Sequence, residues 1–174
     1  NDVLNFADFK KKVIQDYELV ILSRQCSILG RREVLNGKGK FGIFGDGKEL
    51  PQVVLNHFFQ KGDYRAGYYR DQTLLMAQGL LDSDKFFASL YGHPDLNYEP
   101  MSGGRQMGAH FMTENIDKNG NWISQQAIFN HSADLSTTAS QMPRLVGLAQ
   151  ASKIYRNLNI KNISNFSSNG NEIA

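Results

Sequence analysis

GYYRDQ, from Gly67 to Gln72, places a phenol and a guanidinium side by side at Tyr69 and Arg70, directly before a helical pattern. An arginine fork and a hydroxyl at a helix start are donors that suit a phosphate group. A Tyr-Arg pair is also a common structural contact, so it gains meaning only from its company. SGGRQMGAH, Ser102 to His110, is a glycine-rich run ending in an imidazole. LSTTASQMPRLVGLAQASK, Leu135 to Lys153, is a small-residue loop that runs into an alanine-rich helix, with Pro143 near its start.

GIFGDGKE, Gly42 to Glu49, imitates two phosphate-handling motifs and satisfies neither. A P-loop needs Ser or Thr after its Lys, because that hydroxyl meets Mg²⁺. Here the position is Glu49, a carboxylate. The GDG that opens the magnesium site of thiamin diphosphate enzymes needs a later Asn. The window falls at Asp71 to Leu75, and RDQTLLM has none. Asp46 is therefore read as a turn residue, with Gly45 and Gly47 supplying freedom for positive φ.

The remaining reactive side chains carry plain expectations. Cys26 is alone, which excludes an internal disulfide framework and a cysteine zinc set, and it sits in an apolar helical pattern as a buried thiol. His57 is a packed or surface helical histidine, His93 beside Pro94 belongs to a turn, and His131 in NHSAD is a surface histidine rather than a support for the Ser136 loop.

These groups need elements to hold them. Helical spacing runs from Asp8 to about Leu35, through Val13, Tyr17, Val20, Ile21 and Leu22, with Ile28 and Leu29 continuing the face. Gly30 marks a break or a close contact, and Asn36 and Gly37 stop the helix. Glycines at 37, 39, 42, 45 and 47 make the following stretch a loop. A second helix spans 49–60, with Pro51 in its first turn and Val53, Val54, His57 and Phe58 near one side. An extended piece covers 64–69, and further helices cover 71–79 and 83–92, the latter capped by Asp82 or Ser83. Residues 94–121 have no sustained period, and so long a loop is often functional. The last clear helix spans 139–157, with Leu145, Leu148, Ala149, Ser152 and Tyr155 on one side. A strand begins at Glu172.

Nineteen basic residues against seventeen acidic ones give no strong field, so nucleic acid is not an expected partner. No run of about 18 apolar residues proposes a membrane span. The N-terminus lacks a signal-peptide core. The expectation is a soluble cytoplasmic domain.

The order GKE, YYRD, GRQMGAH, LSTTASQMP resembles the alpha-type part of the thiamin diphosphate-dependent 2-oxoacid dehydrogenases, the decarboxylating component of those multienzyme complexes. GRQM followed by His is most similar to the branched-chain branch. The resemblance covers Leu19 to Lys153. It implies that Tyr69 and Arg70 hold the cofactor's diphosphate, and that Ser136 and Thr138 meet its aminopyrimidine. It implies a catalytic role for His110 and a substrate-side place for Phe41. Leu135, Thr137, Ser140 and Gln141 match a loop that binds a monovalent cation such as K⁺ in some relatives; here Thr137 replaces a common Pro and Ser140 a common Thr. The resemblance also implies Mg²⁺ with ligands beyond residue 174, a beta-type region or subunit, a lipoyl acyltransferase core, a 2-oxoacid substrate (branched-chain or pyruvate) and an oligomeric full-length form.

The fold class expected from all this is α/β: the helix-rich N-terminal portion of a thiamin diphosphate-binding fold, with most of its sheet missing. Residues 1–174 are read as one incomplete domain, with a helical extension over 1–60 and the start of the diphosphate-binding domain over 61–174. These residues alone are expected to be inactive. Two other classes stay open: a non-catalytic binding or assembly domain, and a nucleotide-phosphate module built on Lys38, Lys40 and Lys48.

Overall fold

The structure is a computed structural model that describes residues 5–106, 108 and 110–158. The strand expected at Glu172 lies outside them. The elements run α1 (Phe6–Leu35), α2 (Glu49–Asn56), β1 (Tyr64–Ala66), α3 (Gln72–Ala77), α4 (Ser83–Tyr91), β2 (Asn130–Ser132) and α5 (Gln141–Leu158). Two compact units divide the chain: Asn1–Phe58 with Arg70–Ala109, and Phe59–Tyr69 with His110–Ala174. The first holds α1 to α4 and the second holds β1, β2 and α5. The described chain is thus helix-rich with a small parallel sheet, in keeping with an α/β class.

In the first unit α1 starts where the Asn5 side chain accepts the Asp8 N–H at 3.0 Å, which satisfies one of the donors a helix start leaves open. It ends at Asn36 and at Gly37, whose φ of 75° is the left-handed stop. Its buried face differs from the expected one. Ser23, Cys26, Ser27, Gly30 and Glu33 are inside, while Val13, Tyr17, Ile21, Leu22 and Ile28 are exposed. Small residues at helical spacing let neighbours approach closely. Gly30 does not break the helix: a Cβ there would lie 2.5 Å from the Phe44 ring. Ser23 and Ser27 bring hydroxyls to α3, where Ser23 Oγ meets Thr73 Oγ1 at 2.7 Å and Gln72 Nε2 donates to Ser27 Oγ at 2.9 Å. The apolar core beside this polar seam is Cys26, Met76 and Phe86, packed by Leu19, Phe44, Leu81 and Phe87. Burial pushes the Cys26 thiol up, as expected of an inert thiol.

Helix α2 stops at Asn56, earlier than expected, and buries Glu49, Gln52 and Val53 rather than Val54 and Phe58. His57 follows it and meets Asp16 at 2.9 Å. Asp82 caps α4 by accepting the Lys85 N–H at 2.8 Å, and Gly92 ends it. His93 serves its turn, accepting the Asp95 N–H at 3.2 Å.

In the second unit β1 and β2 pair in parallel, Tyr64 with Asn130, Arg65 with His131 and Ala66 with Ser132. NHS is too short and too polar to read as a strand; the partner creates it. Phe59 and Phe129 pack with ring centres 6.1 Å apart. His131 stacks on Phe59 with ring centres 5.9 Å apart and takes Phe111 edge-on at 5.7 Å. The surface placement expected for His131 is therefore corrected: it is 3% exposed. Ile116, within the 94–121 stretch expected as a loop, forms an antiparallel bridge with Trp122 just beyond it.

Candidate functional site

The second unit gathers three of the expected site residues. Tyr69, 7% exposed, stands in the turn that follows β1. Its hydroxyl accepts from Tyr68 at 2.5 Å and its ring lies 5.7 Å from that of His110. His110 Nε2 is 2.6 Å from Ser136 Oγ. The cluster thus offers phenol, imidazole and hydroxyl groups, all able to donate hydrogen bonds to an anion. Thr138 lies exposed two residues beyond Ser136.

The rest of that loop is closed on itself. Gln141 Nε2 donates to Leu135 O at 2.7 Å and to Thr137 O at 3.4 Å, and Ser140 Oγ donates to Thr137 O at 2.7 Å. Ala139 has φ of 66°, strained for a residue with a Cβ. The expected cation loop therefore brings Leu135, Thr137, Ser140 and Gln141 together, with the Gln141 amide nitrogen at the carbonyls.

Arg70 and Phe41 belong to the first unit. Arg70 is held by its backbone: its carbonyl accepts from Gln52 Nε2 at 3.1 Å, and a Cβ on Gly45 would stand 2.5 Å from the same oxygen. This corrects the role expected for Gly45, which serves close approach; of the GDG glycines only Gly47 has positive φ, at 92°. Phe41 is 47% exposed on the glycine-rich loop. Asp46 pairs with Arg31, whose guanidinium hydrogen bond holds the Asp46 carboxyl low. Glu49 is buried under a two-pronged contact from Arg24 at 2.6 and 2.8 Å and accepts the Gly47 N–H. Both carboxylates are thus engaged by arginines within the chain, in keeping with a turn and helix start for GIFGDGKE. Among the described residues no group of three His, Cys, Asp or Glu is placed to hold a metal ion. No helix among them is long and apolar enough to cross a membrane.

Sequence reasoning passed over the support beneath the cluster. Arg65 Nη2 donates to Asp134 Oδ1 at 2.9 Å and Arg65 Nη1 to His131 Nδ1 at 3.2 Å. An arginine always donates, so His131 is neutral, with its proton on Nε2. Burial, and then the Arg65 charge, lower its pKa from 6.5 to about 3. The partners lie 66 and 69 positions apart, beyond any local pattern.

Residues 17–160 match the family model described as the dehydrogenase E1 component. The alpha subunit of 2-oxoisovalerate dehydrogenase from Bacillus subtilis (strain 168) is 29% identical over 147 residues, which cover 83% of this chain and 39% of that protein. The chain thus spans about two fifths of the length of this curated relative. GKE, YYRD, GRQMGAH and LSTTASQMP all fall inside the span matched by the family model. On that match, which takes in well over half of its residues, the chain belongs to the dehydrogenase E1 component family.

Proposed function

We propose that this chain is the alpha-type part of a thiamin diphosphate-dependent 2-oxoacid dehydrogenase component that decarboxylates a branched-chain 2-oxoacid and passes the acyl group to a lipoyl arm. The observation that carries the reading is the Tyr69–His110–Ser136 cluster, inside the family-matched span and built from donors that fit an anionic cofactor. The branched-chain preference rests on the name of the Bacillus subtilis relative and on GRQM followed by His. A beta-type partner completes the site in this reading, because the relative is itself an alpha subunit. The fold assigned with this function is the helix-rich start of a thiamin diphosphate-binding fold.

Tyr69, and Arg70 joined to it in the chain, bind the diphosphate; Ser136 and Thr138 meet the aminopyrimidine. Thiamin diphosphate, when bound, supplies a carbon nucleophile and an electron sink for the carbon dioxide-releasing step. His110, held by Ser136 Oγ, moves a proton at Nε2. Phe41 is assigned to the substrate side. The neutral oxygens of Leu135, Thr137 and Ser140 suit a monovalent cation, and Gln141 joins them once its amide presents oxygen instead of nitrogen. The described residues offer no cluster for Mg²⁺, so no step is assigned to that ion.

Titration of the full-length protein, with its beta-type partner, against thiamin diphosphate and Mg²⁺ tests this. Tyr69→Phe should weaken affinity by about tenfold, the value of one hydrogen bond to a charged group. Decarboxylation of 2-oxoisovalerate should require the partner. A chain that binds no thiamin diphosphate under any of these conditions ends the proposal.

A further inference from the structure

We infer that the buried Arg65–Asp134 ion pair is a positioning clamp that sets where Tyr69, His110 and Ser136 stand. The inference rests on reading those three as the functional site. Asp134 is the hub. Its side chain is 1% exposed and takes Arg65 Nη2 on Oδ1 at 2.9 Å. Its Oδ2 accepts the Phe111 N–H at 3.0 Å, and its own N–H donates to Phe111 O at 2.9 Å. Asp134 therefore grips the backbone on both sides of Phe111, the residue after His110. Two residues on stands Ser136, the partner of His110. Between them Leu135 N–H donates to Gly67 O at 3.2 Å.

Arg65 ties the other strand of the site to the same hub. Its Nη2 also donates to Tyr68 O at 3.3 Å, the carbonyl that leads into Tyr69. Its Nη1 reaches His131 Nδ1 on the neighbouring strand. One planar fork thus reaches three partners on two strands of chain, with a fixed spread of donors that an ammonium lacks. Gly67 makes room for it: a Cβ at that position would fall on Arg65 Cζ and Nη2 and on Asp134 Oδ1. A glycine whose missing side chain is filled by an ion pair, with a buried carboxylate that fastens the backbone next to the imidazole, is an arrangement aimed at the cluster. Pairing two strands of three residues does not need it.

The test uses the full-length protein and two variants. Asp134→Asn keeps the size of the hub and removes its charge; Arg65→Lys keeps the charge and removes the fork. Circular dichroism and thermal unfolding report the fold, NMR reports the His110 imidazole and its through-space contact with the Tyr69 ring, and titration with thiamin diphosphate and Mg²⁺ reports binding. Folded variants should show the His110 signals moved toward those of free imidazole, a weakened Tyr69 contact, and about tenfold weaker binding, as expected for slight misplacement of site groups. If Asp134→Asn does not fold, Arg65→Lys decides. Folded variants with lower melting temperatures but unmoved His110 and Tyr69 signals would overturn the clamp. So would loss of the fold in both, which assigns the pair to folding alone. If the signals move while the parent protein binds no thiamin diphosphate, the clamp stands and the functional reading falls.

Discussion

At Glu99 two effects oppose each other on one carboxyl. Burial favours the neutral acid, while donors from Gly104, Ser102 and Met101 favour the carboxylate and win, so its pKa sits below the ordinary value. A depressed folded pKa stabilises the fold above the unfolded value near 4.5, and that contribution is lost as pH falls through the folded one. Glu99→Gln replaces one accepting oxygen with a donor. At pH 7 it should cost about 1–3 kcal/mol in urea unfolding, the range for leaving buried donors unmet. As pH falls below 4.5 and through the folded pKa the gap should shrink; a gap undiminished down to acid unfolding would show that charge is not the cause. Nothing in PDLNYEPMSGG identifies Glu99, because its value lies in turns that a glycine-rich run permits without specifying. Tyr69, by contrast, stands out in the sequence as a phenol beside a guanidinium. Arg65 and Asp134 each look ordinary alone.

The helices were read from local signals and, apart from the early end of α2 at Asn56, lie close to their expected bounds: Asp82 as a cap, Pro51 in a first turn, Gly37 and Gly92 as stops. What local signals could not give was the face. Helix α1 carries large apolar residues on several sides, and burial followed the small ones because α3 and Phe44 come in close. This sets the sign of a substitution that helix propensity alone gets wrong. Gly30→Ala should gain about 1 kcal/mol as a better helix former. It should lose about 1–3 kcal/mol by crowding the Phe44 ring. The net expectation is a lower melting temperature, with recovery when Phe44→Leu is added. A Gly30→Ala protein more stable than its parent would mean that the ring moves aside freely. β2 was the element missed, since three polar residues become a strand only through a partner that sequence periodicity does not reveal.

For the molecule as a whole, His131 builds in a sensitivity to mild acid. Its pKa falls from 6.5 to about 3 on folding, so between those values the unfolded chain binds a proton that the folded one refuses. Stability from this group is complete above about pH 6.5 and declines as pH drops toward 3, at up to about 1.4 kcal/mol per pH unit. His131→Gln keeps an acceptor for Arg65 and cannot titrate; its stability should change less between pH 7 and pH 5 than the parent's, as measured by chemical denaturation at each pH. Equal slopes would mean that His131 takes up its proton alike in the folded and the unfolded chain. The second unit is also interrupted: Tyr69 is followed by residues of the first unit before the chain returns at His110. During synthesis Arg65 therefore leaves the ribosome 66 codons ahead of His131. At about 5–20 residues per second that is a wait of roughly three to thirteen seconds, with a buried-to-be guanidinium and a strand edge both open to strangers. Nascent chains should be most prone to chaperone capture in that interval, and slower codons after Tyr69 should lengthen it.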